Sequence, residues 1–178
     1  MKTAFEKIAY FNELIGNGKS MAANEQIDVQ FAMIVEELDE LREALEEYTE
    51  ARDRCDKHGN DGADVYDAEQ AFIACRDGIA DVLVTVYGLA HRMGVNADAD
   101  LEAVYESNMS KFIQGNAGDA ELAAAEVTAR LEIAVSVTKT APGIWAITSS
   151  YDQTGADGKS YPKGKLLKPA SFKEPKFD

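Results

Sequence analysis

Across 178 residues the chain carries 32 Asp plus Glu against 18 Lys plus Arg, a net charge of -14. Such a field repels a phosphate backbone and excludes a nonspecific grip on nucleic acid, while a small anion can still bind where divalent cations neutralise the field locally. No run approaches the roughly 20 apolar residues a spanning helix needs, so no membrane partner is expected.

The first element is a helix from residue 3 to about 16, where Phe5, Ile8, Phe11 or Asn12, and Ile15 share a face before "GNGKS" ends it. Glu6, Lys7, Asn12 and Glu13 interrupt any signal-peptide core. A second helix starts near Asp28 and places Phe31, Ile34, Leu38, Leu41, Leu45 and Tyr48 on one stripe. "DKHGNDGAD", residues 56–64, has the composition of a connection, and the third helix is expected from about Asp67 to Arg92. Its segment 79–90, "IADVLVTVYGLA", is apolar on nearly every face and needs cover from a bundle or an interface. A fourth helix carries Leu101, Val104, Tyr105, Met109 and Phe112 and ends at "QGNAGD". Beyond it the pattern changes to one more helix, "AELAAAEVTARLE", followed by "IAVSVTKT", "IWAITSSYD" and "KLLKPASF", which alternate or are β-branched. We expect a mainly α protein, with a helical domain over 1–115, then over 116–178 a helix, a β-hairpin or meander and an extended arm. Trp145 reads as core, and so do Phe11 and Tyr87, whereas His91 reads as a capping or surface histidine. Cys55 and Cys75 show no zinc spacing with His58 or His91, so reduced thiols in a cytoplasmic protein are expected.

The chemistry is concentrated in two stretches. "IVEELDELREALEEY", residues 34–48, has seven acids among fifteen residues on a helix with strict apolar spacing. At about 100° per residue, Glu37 lies roughly 70° from the centre of the stripe, with Glu40 and then Glu36 further round the same flank. In "RDGIADVLVTVYG", Asp77 and Asp81 stand one turn apart on a helix otherwise apolar nearly all round. An unpaired buried carboxylate is costly, but two acidic clusters on neighbouring helices can share divalent cations, which as hard ions prefer oxygen ligands.

These residues resemble a family. "EELDE" followed by "DGIADVLVTVYG" is similar to the all-α nucleoside triphosphate pyrophosphohydrolases, the MazG-like group that includes the phosphoribosyl-ATP pyrophosphohydrolases, and in particular to its DxxxD variant. "YFNELIG" resembles the family's FHEAFG start, "YESNMSKF" its SNMSK ending, and "GKLLKPASFKEPKF" the GKVLKP ending of phage members. The resemblance covers residues 10–112, with a divergent connection, and 164–177. Two positions depart from the pattern: Gly78 stands where the ExxD form has Glu, and Asn12 where FHEAFG has His.

The resemblance implies a MazG-like four-helix bundle that cleaves a nucleoside triphosphate between its α- and β-phosphates, releasing a monophosphate and pyrophosphate. Two or three Mg2+ or Mn2+ ions would be held by Glu36, Glu37, Glu40, Asp77 and Asp81, with one of the three glutamates acting on the attacking water. Phe11, Asn12 and Ile15 would contact the base, Asn108 and Lys111 the ribose and phosphate, and Lys165 and Lys168 the polyphosphate. The phage-like tail implies a host-cytoplasmic enzyme and a purine deoxynucleotide, dGTP first, as in the MazZ-like type. A homodimer or homotetramer is expected, because one short bundle cannot cover the apolar third helix. The rival expectations are a phosphoribosyl-ATP pyrophosphohydrolase and a non-enzymatic helical oligomer or adaptor. A di-metal carboxylate oxidase needs Glu-x-x-His pairs, and neither His58 nor His91 has a Glu three residues before it.

Overall fold

The computed structural model describes residues 2–18, 24–59 and 61–177. Among them the protein is mainly helical with small antiparallel sheets, and the chain divides into two compact units, Met1–Asp98 and Ala99–Asp178. The division falls earlier than the boundary expected after residue 115. No helix among the described residues is long and apolar enough to cross a membrane.

The first unit holds α1 (Ala4–Leu14), α2 (Asn24–His58) and α3 (Gly62–Met93). Thr3 opens α1 with a reciprocal capping box: its hydroxyl accepts from the Glu6 N–H, and the Glu6 carboxylate accepts from the Thr3 N–H at 2.8 Å. Both helices run into the connection expected over 56–64, α2 continuing to His58 and α3 starting at Gly62. The Asp61 side chain caps α3 by accepting from the Ala63 N–H, and His58 and Arg54 on α2 pair with Asp64 at 2.7 and 3.5 Å, so the charged residues staple two helix ends. Gly94, at φ 73°, ends α3 in the left-handed conformation that glycine adopts without a Cβ penalty.

α2 and α3 run antiparallel, as three rungs record: Gln30 against Thr85 and Arg92, Leu41 against Gly78, and Arg54 against Asp64 and Asp67. Small residues, Ala51, Cys55, Ala68, Ala71 and Cys75, fill much of the interface, which lets two long helices approach closely. Both cysteines are free thiols. α1 packs on α3, where Phe5 meets Tyr87 edge-on at 5.9 Å between ring centroids. Much of the apolar surface stays outside: Ile79, Leu83, Val84 and Val86 on α3, and Val29, Phe31, Met33, Val35 and Leu38 on α2, are exposed.

The second unit takes in most of α4 (Ala97–Met109) and all of β1 (Ile113–Gln114), α5 (Ala117–Leu131), β2 (Val135–Ala141), β3 (Ile144–Ser149), β4 (Gln153–Thr154) and β5 (Ser160–Tyr161). The central strand β3 pairs antiparallel with β2 on one side and with β1 on the other. Residues 164–167 continue the β1 edge: the Gly164 N–H donates to Ser149 O, and the Leu167 N–H to Ile147 O, both at 2.8 Å. α5 lies on this sheet, and Ala120, Val127, Ile133, Ile147, Tyr161 and Leu167 form the core. The tail therefore differs from the unpacked arm expected of it. Leu167 is 2% exposed and Pro169 is buried, because the leucines of "KLLKP" supply the apolar surface that the short β1 leaves missing.

Candidate functional site

The antiparallel register of α2 and α3 sets the acidic residues of the two helices against each other. Glu37 and Asp81 are partly buried, while Glu36, Glu40 and Asp77 are exposed around them. Burial raises the Glu37 carboxyl above its ordinary 4.5, and the charges of Asp81, Glu40, Glu36 and Asp77, in that order, raise it further. The five carboxylates expected to act together thus share one electrostatic neighbourhood. Among the described residues none of the five side chains forms an ion pair or accepts a hydrogen bond, although nearby Asp39 takes Arg42 at 3.0 Å. Unpaired like charges gathered at a helix interface oppose the fold that gathers them. The oxygen-only donors suit a hard cation. Among the described residues, however, no group of three or more His, Cys, Asp or Glu side chains is set to hold a metal ion.

The rung beside this cluster explains the departure at position 78. A Cβ on Gly78 would lie 3.2 Å from both Cα and Cβ of Leu41, so the helices meet there with no room for a glutamate. Asp77, the residue before it, is exposed at the edge of the contact.

One turn beyond Asp81 lies a polar network that the sequence reading missed. The Thr85 hydroxyl donates to the carbonyls of Asp81 and Val82, and the Gln30 amide donates to Thr85 O at 3.0 Å while accepting from Arg92 Nε at 2.8 Å. Gly88 leaves space that the amides of Gln30 and Asn12 fill. His91 is fully buried rather than a surface cap: its Nε2 donates to Asn17 O at 3.0 Å, and its buried Nδ1 has no partner among the described residues. The signal was present as Asp81, Thr85, Gly88 and Arg92, polar or small residues at steps of four, three and four along an apolar helix.

Of the expected base contacts, Asn12 is buried, donating to Ile8 O and accepting from Asn17 Nδ2 at 3.2 Å, whereas Phe11 and Ile15 are 52% and 56% exposed. Phe11 is thus outside the core, and Tyr87 and Trp145 are partly buried. Asn108, Lys111, Lys165 and Lys168 belong to the second unit. There Lys111 Nζ donates to Asn108 Oδ1 at 2.6 Å, Lys165 Nζ donates to Ser160 O at 3.0 Å, and Lys168 pairs with Glu174 at 3.0 Å and lies over the Phe172 ring.

No family model and no curated protein matches the sequence. What is known of the site therefore rests on its geometry and on the motifs themselves.

Proposed function

We propose that the protein is a metal-dependent nucleoside triphosphate pyrophosphohydrolase of the MazG-like kind, acting on purine deoxynucleotides, dGTP first. The single observation that carries the reading is the set of five carboxylates from two helices around Glu37, unpaired and mutually repelling. Such a set would be stabilised by cations filling it, and the sequence spacing resembles that of the family's metal helices, apart from Gly78. Glu36, Glu37, Glu40, Asp77 and Asp81 would hold two or three Mg2+ or Mn2+ ions. Bound there, such ions would neutralise the phosphates and activate water.

The remaining roles fall to the chain's own groups. One of the three glutamates orients or deprotonates the water. Phe11 and Ile15 offer exposed apolar surface to a base, beside Asn12. Asn108 and Lys111 are proposed for ribose and phosphate on the strength of the "SNMSK" motif alone. Lys165 and Lys168 are weaker candidates, since each already has a partner in its own unit. The helical bundle is completed by a second copy, or by pairs of copies, over the exposed faces of α2 and α3.

Pyrophosphate release measured over all ribo- and deoxynucleoside triphosphates, with and without Mg2+, tests the activity and its preference. Asp81→Asn is expected to abolish turnover and weaken Mg2+ binding, and near-wild-type rates at saturating Mg2+ would falsify the site. The exposed apolar faces also favour a second reading, a non-enzymatic helical oligomer. Absence of hydrolysis for every nucleotide, together with no Mg2+ binding, would select it.

A further inference from the structure

The end of α4 and residues 171–176 enclose a groove of about 1080 Å3 lying wholly within the second unit. Ligand sites for small molecules run from about 300 to 1,000 Å3, so the space is ample for one. Tyr105, Ser110, Phe112, Gln114, Lys173 and Lys176 line it.

The tail is held against α4 by backbone rather than by side chains. The Ser107 hydroxyl donates to Lys173 O at 2.8 Å, and the Lys173 N–H donates to Ser110 Oγ at 2.9 Å. The ammonium of Lys173 is spared by this arrangement. Neither it nor that of Lys176 has a carboxylate partner among the described residues. Glu174, which also lines the groove, is already tied to Lys168 at 3.0 Å, and Glu106 stands on the α4 wall. The surrounding field is permissive as well: residues 1–98 hold nine Lys and Arg against 21 Asp and Glu, whereas residues 99–178 hold nine against eleven. An anion that the first unit repels meets little net charge here.

Two spare cations and two aromatic side chains on one groove define a ligand class. We propose that this groove binds a planar ring carrying a phosphate, a nucleoside monophosphate, with the ring against Tyr105 and Phe112 and the phosphate on Lys173 and Lys176. Stacking on an aromatic face and charge-assisted hydrogen bonds to phosphate are the recurrent means of holding such ligands. The site needs no metal, and none of its lining residues is one of the five carboxylates.

Isothermal titration of the full chain with GMP in a metal chelator tests it. One GMP per chain is expected, with affinity about tenfold or more weaker in K173Q/K176Q, the scale of losing charge-assisted bonds. Because Lys173 holds the tail through its backbone, that variant should keep the wild-type far-ultraviolet circular dichroism. Guanosine, which lacks the phosphate, and inorganic phosphate, which lacks the ring, are each expected to bind far more weakly. Glu37→Gln should leave GMP binding unchanged. Absence of heat at millimolar GMP, wild-type affinity in folded K173Q/K176Q, phosphate binding as tightly as GMP, or loss of binding in Glu37→Gln would each overturn the proposal. Loss of Mg2+ binding or of hydrolysis in Asp81→Asn bears only on the carboxylate cluster.

Discussion

Glu37 is the residue on which burial and four neighbouring charges act in the same direction. Its folded carboxyl holds a proton more tightly than its unfolded one, for which the ordinary value is 4.5. The stability it contributes is therefore fully present below that value and is lost as pH rises through the folded value. At neutral pH, without metal, the ionised group works against folding. Glu37→Gln should accordingly raise the melting temperature in chelator at pH 7, and, on the proposed function, remove the further rise expected from Mg2+ in the wild type. Scanning fluorimetry with and without Mg2+ checks both effects, and a variant that melts lower in chelator would count against the charge cluster. Asp157 behaves in the opposite sense: the Tyr161 hydroxyl donating to it at 2.8 Å and the Lys159 N–H hold its carboxyl below the ordinary 3.8. Its contribution is present above that value and lost as pH falls through the lowered one. Tyr161→Phe should flatten the acid limb of the stability profile of the second unit, measurable by acid titration of circular dichroism.

At the scale of elements, the meeting of α2 and α3 at Gly78 ties packing to function. Replacing glycine by alanine inside a helix ordinarily gains about 1 kcal/mol, whereas overpacking a close contact costs about 1–3 kcal/mol. Two of the three nearest atoms are the Cα and Cβ of Leu41, which cannot swing away by rotating a side chain. Gly78→Ala is therefore expected to lower stability, by about 1 kcal/mol net, in urea unfolding followed by circular dichroism. Gly78→Glu would restore the ExxD spacing and should destabilise more, because the helices would have to part. A stabilised Gly78→Ala would mean that the α2–α3 contact is looser than this rung requires. The same close approach keeps the charges of both helices acting on Glu37, so spacing the helices apart should also weaken the Mg2+ binding proposed for them.

At the scale of the whole molecule, the apolar surface left on the first unit is the dominant feature. Leu83 and Ile79 on α3 and Phe31 on α2 are about half exposed or more, at 50%, 51% and 58%, in a unit whose own buried core is largely Ala and Cys. Contiguous exposed apolar faces of this kind mark association surfaces. Light scattering is expected to report a homodimer or homotetramer, and Leu83→Glu to shift it toward monomer with loss of thermal stability. A wild-type monomer at micromolar concentration would remove the basis for a shared bundle. Cutting the chain after Asp152 would strip Tyr161 and Leu167 from the core of the second unit, so the part played by its lysines is better read from Lys165→Gln and Lys168→Gln.

The mainly helical make-up and the antiparallel strands were legible from the chain alone, since periodicity and turn composition act locally and report which face of an element is apolar. Helix ends were less legible: residues 56–58 and 62–64 read as a loop until Arg54, His58 and Asp64 met across the turn. His91 and the tail show the limit most clearly. Nothing within a few residues of His91 announces that the Asn17 carbonyl, past the end of α1, accepts a hydrogen bond from its Nε2, and nothing in "KLLKP" announces that β3 leaves half an edge open for it. Burial of a polar ring or of a proline-bracketed segment depends on partners far away in sequence, and only the tertiary structure brings those partners to it.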